Sequence, residues 1–142
     1  MSRAEIANLT RQWLGTPYRH QASTLGAGCD CLGLVRGVWR MRFGTEPQVL
    51  PPYRADWRDA CGAATLLEAA KRHLVSCDEG PTTGQVVLFR MWRGQPPRHC
   101  GIMIAPGRFA HAVEQHGVIE AWLGSSWRRR VAGIYDFPQN GA

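Results

Sequence analysis

One of the five cysteines stands where it could act as a nucleophile. Cys31 follows Asp30 and opens a run of residues with helical spacing, so Asp30 is predicted to cap a helix whose first turn contains Cys31. The free N–H groups and the positive dipole of a helix N-terminus stabilise a thiolate. A lone cysteine is more often a small buried apolar residue. At the start of a helix, however, Cys31 is a candidate for nucleophilic catalysis through a covalent intermediate.

Two of the five histidines are placed to serve such a nucleophile. Histidine can accept a proton from a thiol and later return it to a leaving amine near neutral pH. His99 opens one predicted strand, and His111 lies in the next one, across a turn at Pro106-Gly107. Neighbouring antiparallel strands bring such side chains to one spot, so one can act as the base while the other orients it. Without Cys31, each would be interpreted as a surface or hydrogen-bonded core histidine.

Helices are predicted to position the cysteine. Ser2 caps the first helix and Glu5 completes a capping box. The stretch 16–28 contains Pro17 and two glycines without periodicity, so it is predicted to be a loop leading into the nucleophile. The three predicted helices run from Ser2 to a stop at Gly15, from Asp30 to Gly44 and from about Asp56 to Leu74.

Strands are predicted to position the histidines. After Gly84, short β-type runs alternate with turn residues, and the Pro106-Gly107 turn is short enough for a hairpin. Helices followed by strands predict an α+β fold, with N-terminal helices packed on a C-terminal antiparallel sheet of about five strands. No repeat or linker divides residues 1–142, so a single domain is predicted. The predicted strands are residues 85–92, 99–105, 108–114, 117–123 and 129–137.

The composition narrows the classes of function. The chain of 142 residues has a formal charge of +6. Its basic residues are dispersed along the sequence, and only Arg128-Arg129-Arg130 form a block. Specific binding of nucleic acid is therefore not predicted. No membrane span is predicted, because the apolar runs are far shorter than the roughly 20 residues that a spanning helix needs. The N-terminus has an early acid, Glu5, and no apolar h-region, so we expect synthesis in the cytoplasm without a signal peptide.

The cysteines do not form an obvious disulfide or metal framework. Their odd number leaves at least one thiol free. Cys29 and Cys31 form a C-x-C pair, whereas zinc sites typically use C-x2–4-C pairs. A metal-binding module that recruits Cys61 and Cys77 stays open as an alternative, but no cofactor or metal ligand is assigned. Apart from Cys31, the predicted roles are structural or incidental for Cys29, Cys61, Cys77 and Cys100.

Five segments, taken in order, carry a resemblance to a known family. They are Gly15-Thr16-Pro17-Tyr18, Asp30-Cys31-Leu32-Gly33-Leu34-Val35, Gly84-Gln85-Val86-Val87-Leu88-Phe89, Arg98-His99-Cys100-Gly101-Ile102 and Phe109-Ala110-His111-Ala112. In order and spacing they resemble the motifs of the NlpC-type cysteine peptidases, papain-like enzymes that cut bacterial peptidoglycan. The resemblance spans about residues 6–113 and implies a papain-like NlpC-type fold.

The resemblance also implies a role for each matching site residue. Cys31 would be the nucleophile, His99 the general base and acid, and His111 the third polar residue that fixes the imidazole of His99. Tyr18 would contact the oxyanion or the substrate, beside an oxyanion hole that includes the backbone N–H of Cys31. The alternative for Tyr18 is ordinary packing against the first helix. Asp30 would cap the helix and contact a substrate amine.

Two departures from the family pattern bear on the biological setting. Leu32 stands where the family commonly has Ser, and Gln85 where it commonly has Asp. The segment of residues 30–40, with Leu32 directly after the cysteine, resembles the subgroup of the family that is encoded among phage tail genes and in gene transfer agents. That likeness implies a virion component at the tail tip of a phage-like particle, with tail hub or baseplate proteins as partners. The protein would then act on the recipient cell wall, in the periplasm.

The sequence therefore predicts a peptidoglycan endopeptidase that cleaves a stem-peptide amide through a Cys31 acyl-enzyme. The bond usual in the family, γ-D-glutamyl to a diamino acid, is adopted for this chain. Two other classes of function stay open. One is a structural tail-hub subunit whose peptidase fold is retained but unused, and the other is the cysteine-based metal-binding module.

Overall fold

The computed structural model describes residues 2–47 and 62–139. Four helices and eight strands are found in this part of the chain. In chain order they are α1 (Arg3–Arg11), β1 (Ser23–Thr24), β2 (Gly28–Cys29), α2 (Cys31–Phe43), α3 (Gly62–His73), β3 (Val75–Ser76), β4 (Val86–Phe89), β5 (His99–Ala105), β6 (Arg108–Val113), β7 (Gly117–Trp122), α4 (Ser125–Arg128) and β8 (Val131–Asp136).

The first helix begins as its sequence predicts, but it ends earlier. The N–H of Glu5 donates to the Ser2 hydroxyl at 3.2 Å, and the Glu5 carboxylate accepts from the Ser2 N–H at 3.4 Å, which completes the capping box. The helix ends at Arg11, and Gly15 lies beyond it with a φ of +90°.

The next two helices also follow the predicted pattern. Asp30 caps α2, which ends before Gly44, a residue with a φ of +94° that favours glycine. In α3 the described part begins at Gly62, so the predicted start near Asp56 lies outside the described residues. Its end at His73 agrees with the prediction to within one residue.

The main sheet has six antiparallel strands in the order β3-β8-β4-β5-β6-β7. All five predicted strands are present, and the α+β class is confirmed. The sixth strand, Val75–Ser76, was not predicted, because two residues carry no periodic pattern and pair only with the distant β8. Strands β4 to β7 form a meander, but β8 returns to lie beside β4. A second small sheet pairs β1 with β2 inside the stretch predicted as a loop.

Two apolar clusters lie on opposite faces of the sheet. Because side chains alternate along a strand, β4, β5 and β6 each contribute to both clusters. The helix-side cluster contains Leu34 and Val38 of α2, together with Cys100 and Ile102 of β5. The second cluster is built from Val87, Phe89, Met103, Phe109 and Leu123.

The contacts of α1 and of the segment that follows it tie the helices to each other and to the sheet. Gly37 lets α2 approach the segment after α1 closely, since a Cβ at this position would lie 2.1 Å from Cζ2 of Trp13. The guanidinium of Arg3 donates to both carboxylate oxygens of Asp136 at 2.8 and 3.0 Å, which ties α1 to β8. None of the helices in the described ranges is long and apolar enough to cross a membrane.

Candidate active site

Asp30 fixes the backbone around Cys31. One carboxylate oxygen accepts the N–H of Gly33 at 2.7 Å and the other accepts the N–H of Gln21 at 2.7 Å. The first bond is the predicted helix cap, and the second anchors the preceding loop to the same side chain. Asp30 is buried, and it also lines the cleft described below. The carboxylate thereby holds both the helix start and the loop in place.

Cys31 is the first residue of α2 and is only 6% exposed. Hydrogen bonding from the Cys100 thiol and from the His99 imidazole lowers the pKa of Cys31 to about 6, although burial acts in the opposite direction. The positive charge of His99 lowers it further, while the nearby Asp30 carboxylate raises it. The net result is a buried thiol that ionises near neutral pH, which is the property of a reactive cysteine.

His99 and His111 meet across β5 and β6, as predicted from their positions on neighbouring strands. Nε2 of His99 lies 2.7 Å from Nδ1 of His111. His111 is 4% exposed, and burial together with the neighbouring His99 lowers its pKa to about 3. His111 is therefore uncharged at neutral pH. Gly101 allows the strands to come close here, because a Cβ would lie 2.8 Å from the carbonyl oxygen of Ala110.

Trp127 covers the two imidazoles, and the sequence did not predict this contact. The centroid of its ring lies 5.9 Å from that of His99 and 5.3 Å from that of His111. It also packs on Phe89 at 4.8 Å and on Phe109 at 5.4 Å. Trp127 belongs to the four-residue helix α4, which is too short to show helical periodicity in the sequence. The histidine pair therefore packs against a cluster of three aromatic side chains, those of Trp127, Phe89 and Phe109.

Tyr18 is held beside the nucleophile by backbone pairing. The N–H of Cys29 donates to the Pro17 carbonyl at 3.0 Å, and the N–H of Arg19 donates to the Cys29 carbonyl at 3.1 Å. Burial, and next the Asp30 carboxylate, raise the pKa of Tyr18 well above its usual range. Its hydroxyl therefore stays protonated and remains a hydrogen-bond donor at neutral pH. Tyr18 and Cys31 line the same cleft.

The cleft has a volume of about 270 Å³. All five predicted site residues line it. On the rim, the guanidinium of Arg98 lies 5.4 Å from the ring of Trp92, which is half exposed. The further lining residues are His20, Met91, Trp92, Arg98, Ala112, Val113, Glu114 and Trp127.

The sequence predicts the positions and contacts of the other cysteines only in part. Cys29 and Cys100 are fully buried, Cys77 is half buried, and Cys61 lies outside the described residues. The contact of Cys100 with Cys31 was missed, although strand alternation places Cys100 on the helix face, opposite to Gly101. Within residues 2–47 and 62–139, no group of three or more His, Cys, Asp or Glu side chains is arranged to hold a metal ion. The metal-binding alternative thus gains no support from this part of the chain.

Comparison with known proteins relates most of the chain to one family. Residues 15–135 match the model of the NlpC/P60 family. The murein DD-endopeptidase MepS/murein LD-carboxypeptidase of Escherichia coli K12 is 31% identical over 129 residues, covering 90% of this chain and 59% of that protein. The γ-DL-glutamyl hydrolase of Bacillus subtilis 168 is 26% identical over 133 residues, covering 93% of this chain and 29% of that protein. The chain thus spans little more than half of the first relative and less than a third of the second.

A solved structure shows the same architecture. An NlpC/P60 family protein of Bacillus cereus superposes with a TM-score of 0.69 at 19% sequence identity, covering 96% of this chain and 40% of that one. At this level of identity the likeness shows the fold, and it confirms the predicted α+β arrangement of helices against an antiparallel sheet.

Proposed function

This chain belongs to the NlpC/P60 family, and we propose that it is a cysteine endopeptidase that hydrolyses an amide bond in the stem peptide of peptidoglycan. One observation carries the proposal. Cys31, at the start of a helix, shares a cleft with a His99–His111 pair whose facing nitrogens are 2.7 Å apart. A thiol of lowered pKa beside a histidine that a third group orients is the arrangement that nucleophilic catalysis by cysteine needs.

The first step is transfer of the Cys31 proton to His99, which forms a thiolate and an imidazolium. Since Nε2 of His99 faces His111, its Nδ1 is the nitrogen left to exchange a proton with Cys31. The uncharged His111 accepts the Nε2–H of His99 at its own Nδ1, and so carries its proton on Nε2. His111 thereby fixes the ring of His99 and stabilises its charge.

Acylation follows when the thiolate attacks the carbonyl carbon of the scissile amide. The carbonyl oxygen becomes an oxyanion, for which the backbone N–H of Cys31 and the hydroxyl of Tyr18 are the proposed donors. The tetrahedral intermediate then collapses, the C–N bond breaks, and His99 gives its proton to the leaving amine. The products are a free amine and a thioester on Cys31.

Deacylation uses the same groups in reverse. Neutral His99 accepts a proton from a water molecule, whose oxygen attacks the thioester carbonyl. Collapse of this second intermediate breaks the C–S bond, and it releases the acyl half of the substrate as a carboxylic acid and the Cys31 thiolate. Each cycle consumes one water and one amide, and the enzyme ends as it began.

For the scissile bond we propose the γ-D-glutamyl link to a diamino acid. Support comes from the name of the B. subtilis relative, a γ-DL-glutamyl hydrolase. The name of the E. coli relative points to other bonds of the stem, a DD-endopeptidase and an LD-carboxypeptidase site. The cleft carries both acidic and basic side chains, Asp30 and Glu114 besides Arg98, which suits a peptide with free amines and carboxylates.

Digestion of purified Gram-negative sacculi, with mass analysis of the released peptides, tests the proposal. Wild type and Cys77→Ala, a control that removes a half-buried cysteine outside the cleft, should release the same peptides. Cys31→Ala and His99→Ala should release none. New amino termini on the diamino acid, next to a D-glutamate, support the γ bond, and release by Cys31→Ala contradicts the mechanism.

We also propose that the domain is delivered at the tail tip of a phage-like particle and acts on the recipient wall. The support is the resemblance of residues 30–40 to the tail-encoded subgroup. Leu32 is buried in the helix-side cluster, where a Ser would leave a buried hydroxyl. Sedimentation of intact particles, followed by blotting with an antibody against this chain, should find the protein with the tails. Its recovery only in particle-free fractions contradicts this setting.

The structural tail-hub role is the second candidate, and it rests on the same resemblance. It predicts that particles carrying Cys31→Ala infect or transfer DNA as well as wild-type particles do. The enzymatic proposal predicts that these particles assemble but fail at the recipient wall.

A further inference from the structure

The Cys100 thiol sits behind the nucleophile, where neither the family resemblance nor the catalytic steps assign it a role. Cys100 is fully buried on β5, directly after His99. Its Sγ lies 3.3 Å from the carbonyl oxygen of Cys31, close enough for its S–H to donate. Because alternate residues of a strand face opposite sides, His99 and Cys100 approach the start of α2 from different faces of β5.

We propose that Cys100 is a positioning residue for the nucleophile: its buried S–H donates toward Cys31 and holds the Cys31 sulfur in the thiolate form. The inference deepens the proposed function, because it rests on Cys31 being the nucleophile. The Cys31 carbonyl is the partner of this donor in the structure. Once Cys31 is ionised, its negative sulfur is the stronger acceptor for the same proton.

The electrostatics of the two thiols fit this division of roles. Hydrogen bonding by Cys100 is the largest influence that lowers the pKa of Cys31. The same hydrogen bond to the Cys31 side chain, together with burial, raises the pKa of Cys100 well above its usual range. Cys100 therefore remains protonated when Cys31 has ionised. A donor to the charged form of a group favours that form, and a thiol is a weak donor, so we expect an effect of about one pH unit.

Cys29 offers a matched control within the same core. It is as buried as Cys100 and belongs to the same apolar cluster. Burial, and to a smaller extent the Cys31 charge, raise the pKa of Cys29, but the hydrogen bonds that lower the pKa of Cys31 come from Cys100 and His99. Replacing Cys29 by Ala removes the same atoms from the core as replacing Cys100, without removing a donor to the nucleophile.

The test is the pH dependence of Cys31 alkylation by iodoacetamide, followed peptide by peptide with mass spectrometry. Cys100→Ala and Cys100→Val should raise the midpoint by about one pH unit, which lowers the rate at pH 6 about fivefold and leaves the plateau at high pH unchanged. Cys100→Ser keeps a donor, and Cys29→Ala keeps Cys100, so both should retain the wild-type midpoint. Near-ultraviolet circular dichroism identifies which variants are folded.

The outcomes separate this inference from the proposed function. If the wild type has a low midpoint and folded Cys100→Val has the same midpoint, the role of Cys100 is overturned. The assignment of Cys31 as the nucleophile then stands. Equal shifts in Cys100→Ser and Cys100→Val would mark a packing role and also overturn it. A wild-type midpoint at the ordinary value of a free thiol overturns both, because Cys31 is then not activated.

Discussion

The bond between His99 and His111 allows a quantitative prediction. Replacing His111 by Ala removes the acceptor that lies 2.7 Å from Nε2 of His99 and leaves the imidazolium of the catalytic cycle without its partner. Hydrogen bonds to charged groups contribute about 1.5–3 kcal/mol. At about 1.4 kcal/mol per tenfold change in rate, kcat/KM should fall about 10- to 150-fold. The loss should appear in kcat, because His111 acts through His99 rather than by binding substrate.

The assay is steady-state hydrolysis of a synthetic stem peptide, followed by the release of the diamino-acid fragment. His111→Asn is the informative companion, because its side-chain amide can place an acceptor near the position of Nδ1. It should recover most of the lost rate. His116→Ala, a change in an exposed turn, controls for removal of a histidine.

Stability has to be measured in parallel, since His111 packs on Phe109 and Trp127 at centroid distances of 4.6 and 5.3 Å. Urea unfolding will show a cost of about 1–3 kcal/mol for the Ala variant from lost packing. A folded His111→Ala protein with kcat within threefold of wild type would refute the orienting role. So would a His111→Asn variant as slow as the Ala variant.

Three other predictions follow from the contacts. Tyr18→Phe should lower kcat on the stem peptide at least about tenfold with KM little changed, and a change in KM alone would argue against an oxyanion contact. Asp30→Ala, which loses two bonds of 2.7 Å, should lower the free energy of unfolding by about 1–2 kcal/mol in urea titrations, and an unchanged midpoint would argue against the cap. Hydrogen bonding to Arg3 lowers the pKa of Asp136, so its contribution is present above the ordinary carboxyl pKa and is lost as pH falls through the lowered one. Because Arg3 is half exposed, Asp136→Asn should cost only about 0.5–1 kcal/mol at pH 7, and its urea midpoint should converge with that of wild type in acid; a constant difference would contradict the linkage.

The helices and strands that carry local signals were predictable. Ser2 with Glu5, and Asp30 before an apolar helix, mark helix starts through hydrogen bonds made within one turn. Strand β5 was predicted to the residue, because its apolar run is bounded by turn residues. By contrast, Val75–Ser76 becomes a strand only through pairing with Asp136 and Tyr135, some 60 residues away. Pairing at that distance leaves no mark on a two-residue sequence.

The candidate site divides in the same way. Cys31, His99 and His111 carry chemistry that residue type and order reveal. Trp127 packs on both imidazoles from a helix of four residues, and Cys100 contacts Cys31 from the side of β5 that faces the helices, so these contacts emerge only when the fold is assembled. Gln85, which stands where the family commonly has Asp, has a structural role. Its amide carbonyl accepts from the Thr82 N–H at 2.8 Å, and its NH2 donates to Asp136 at 3.3 Å. Its structural role depends on partners that no local pattern indicates.

The most direct measurement of the central claim is the activity of Cys31→Ser on the stem peptide. A serine is close to cysteine in size and can also form hydrogen bonds. Its hydroxyl does not ionise near neutral pH, so the variant lacks the thiolate on which the mechanism depends. The account predicts a folded protein, by circular dichroism, whose kcat/KM is lower by about a thousandfold or more. Hydrolysis within tenfold of the wild-type rate would contradict it.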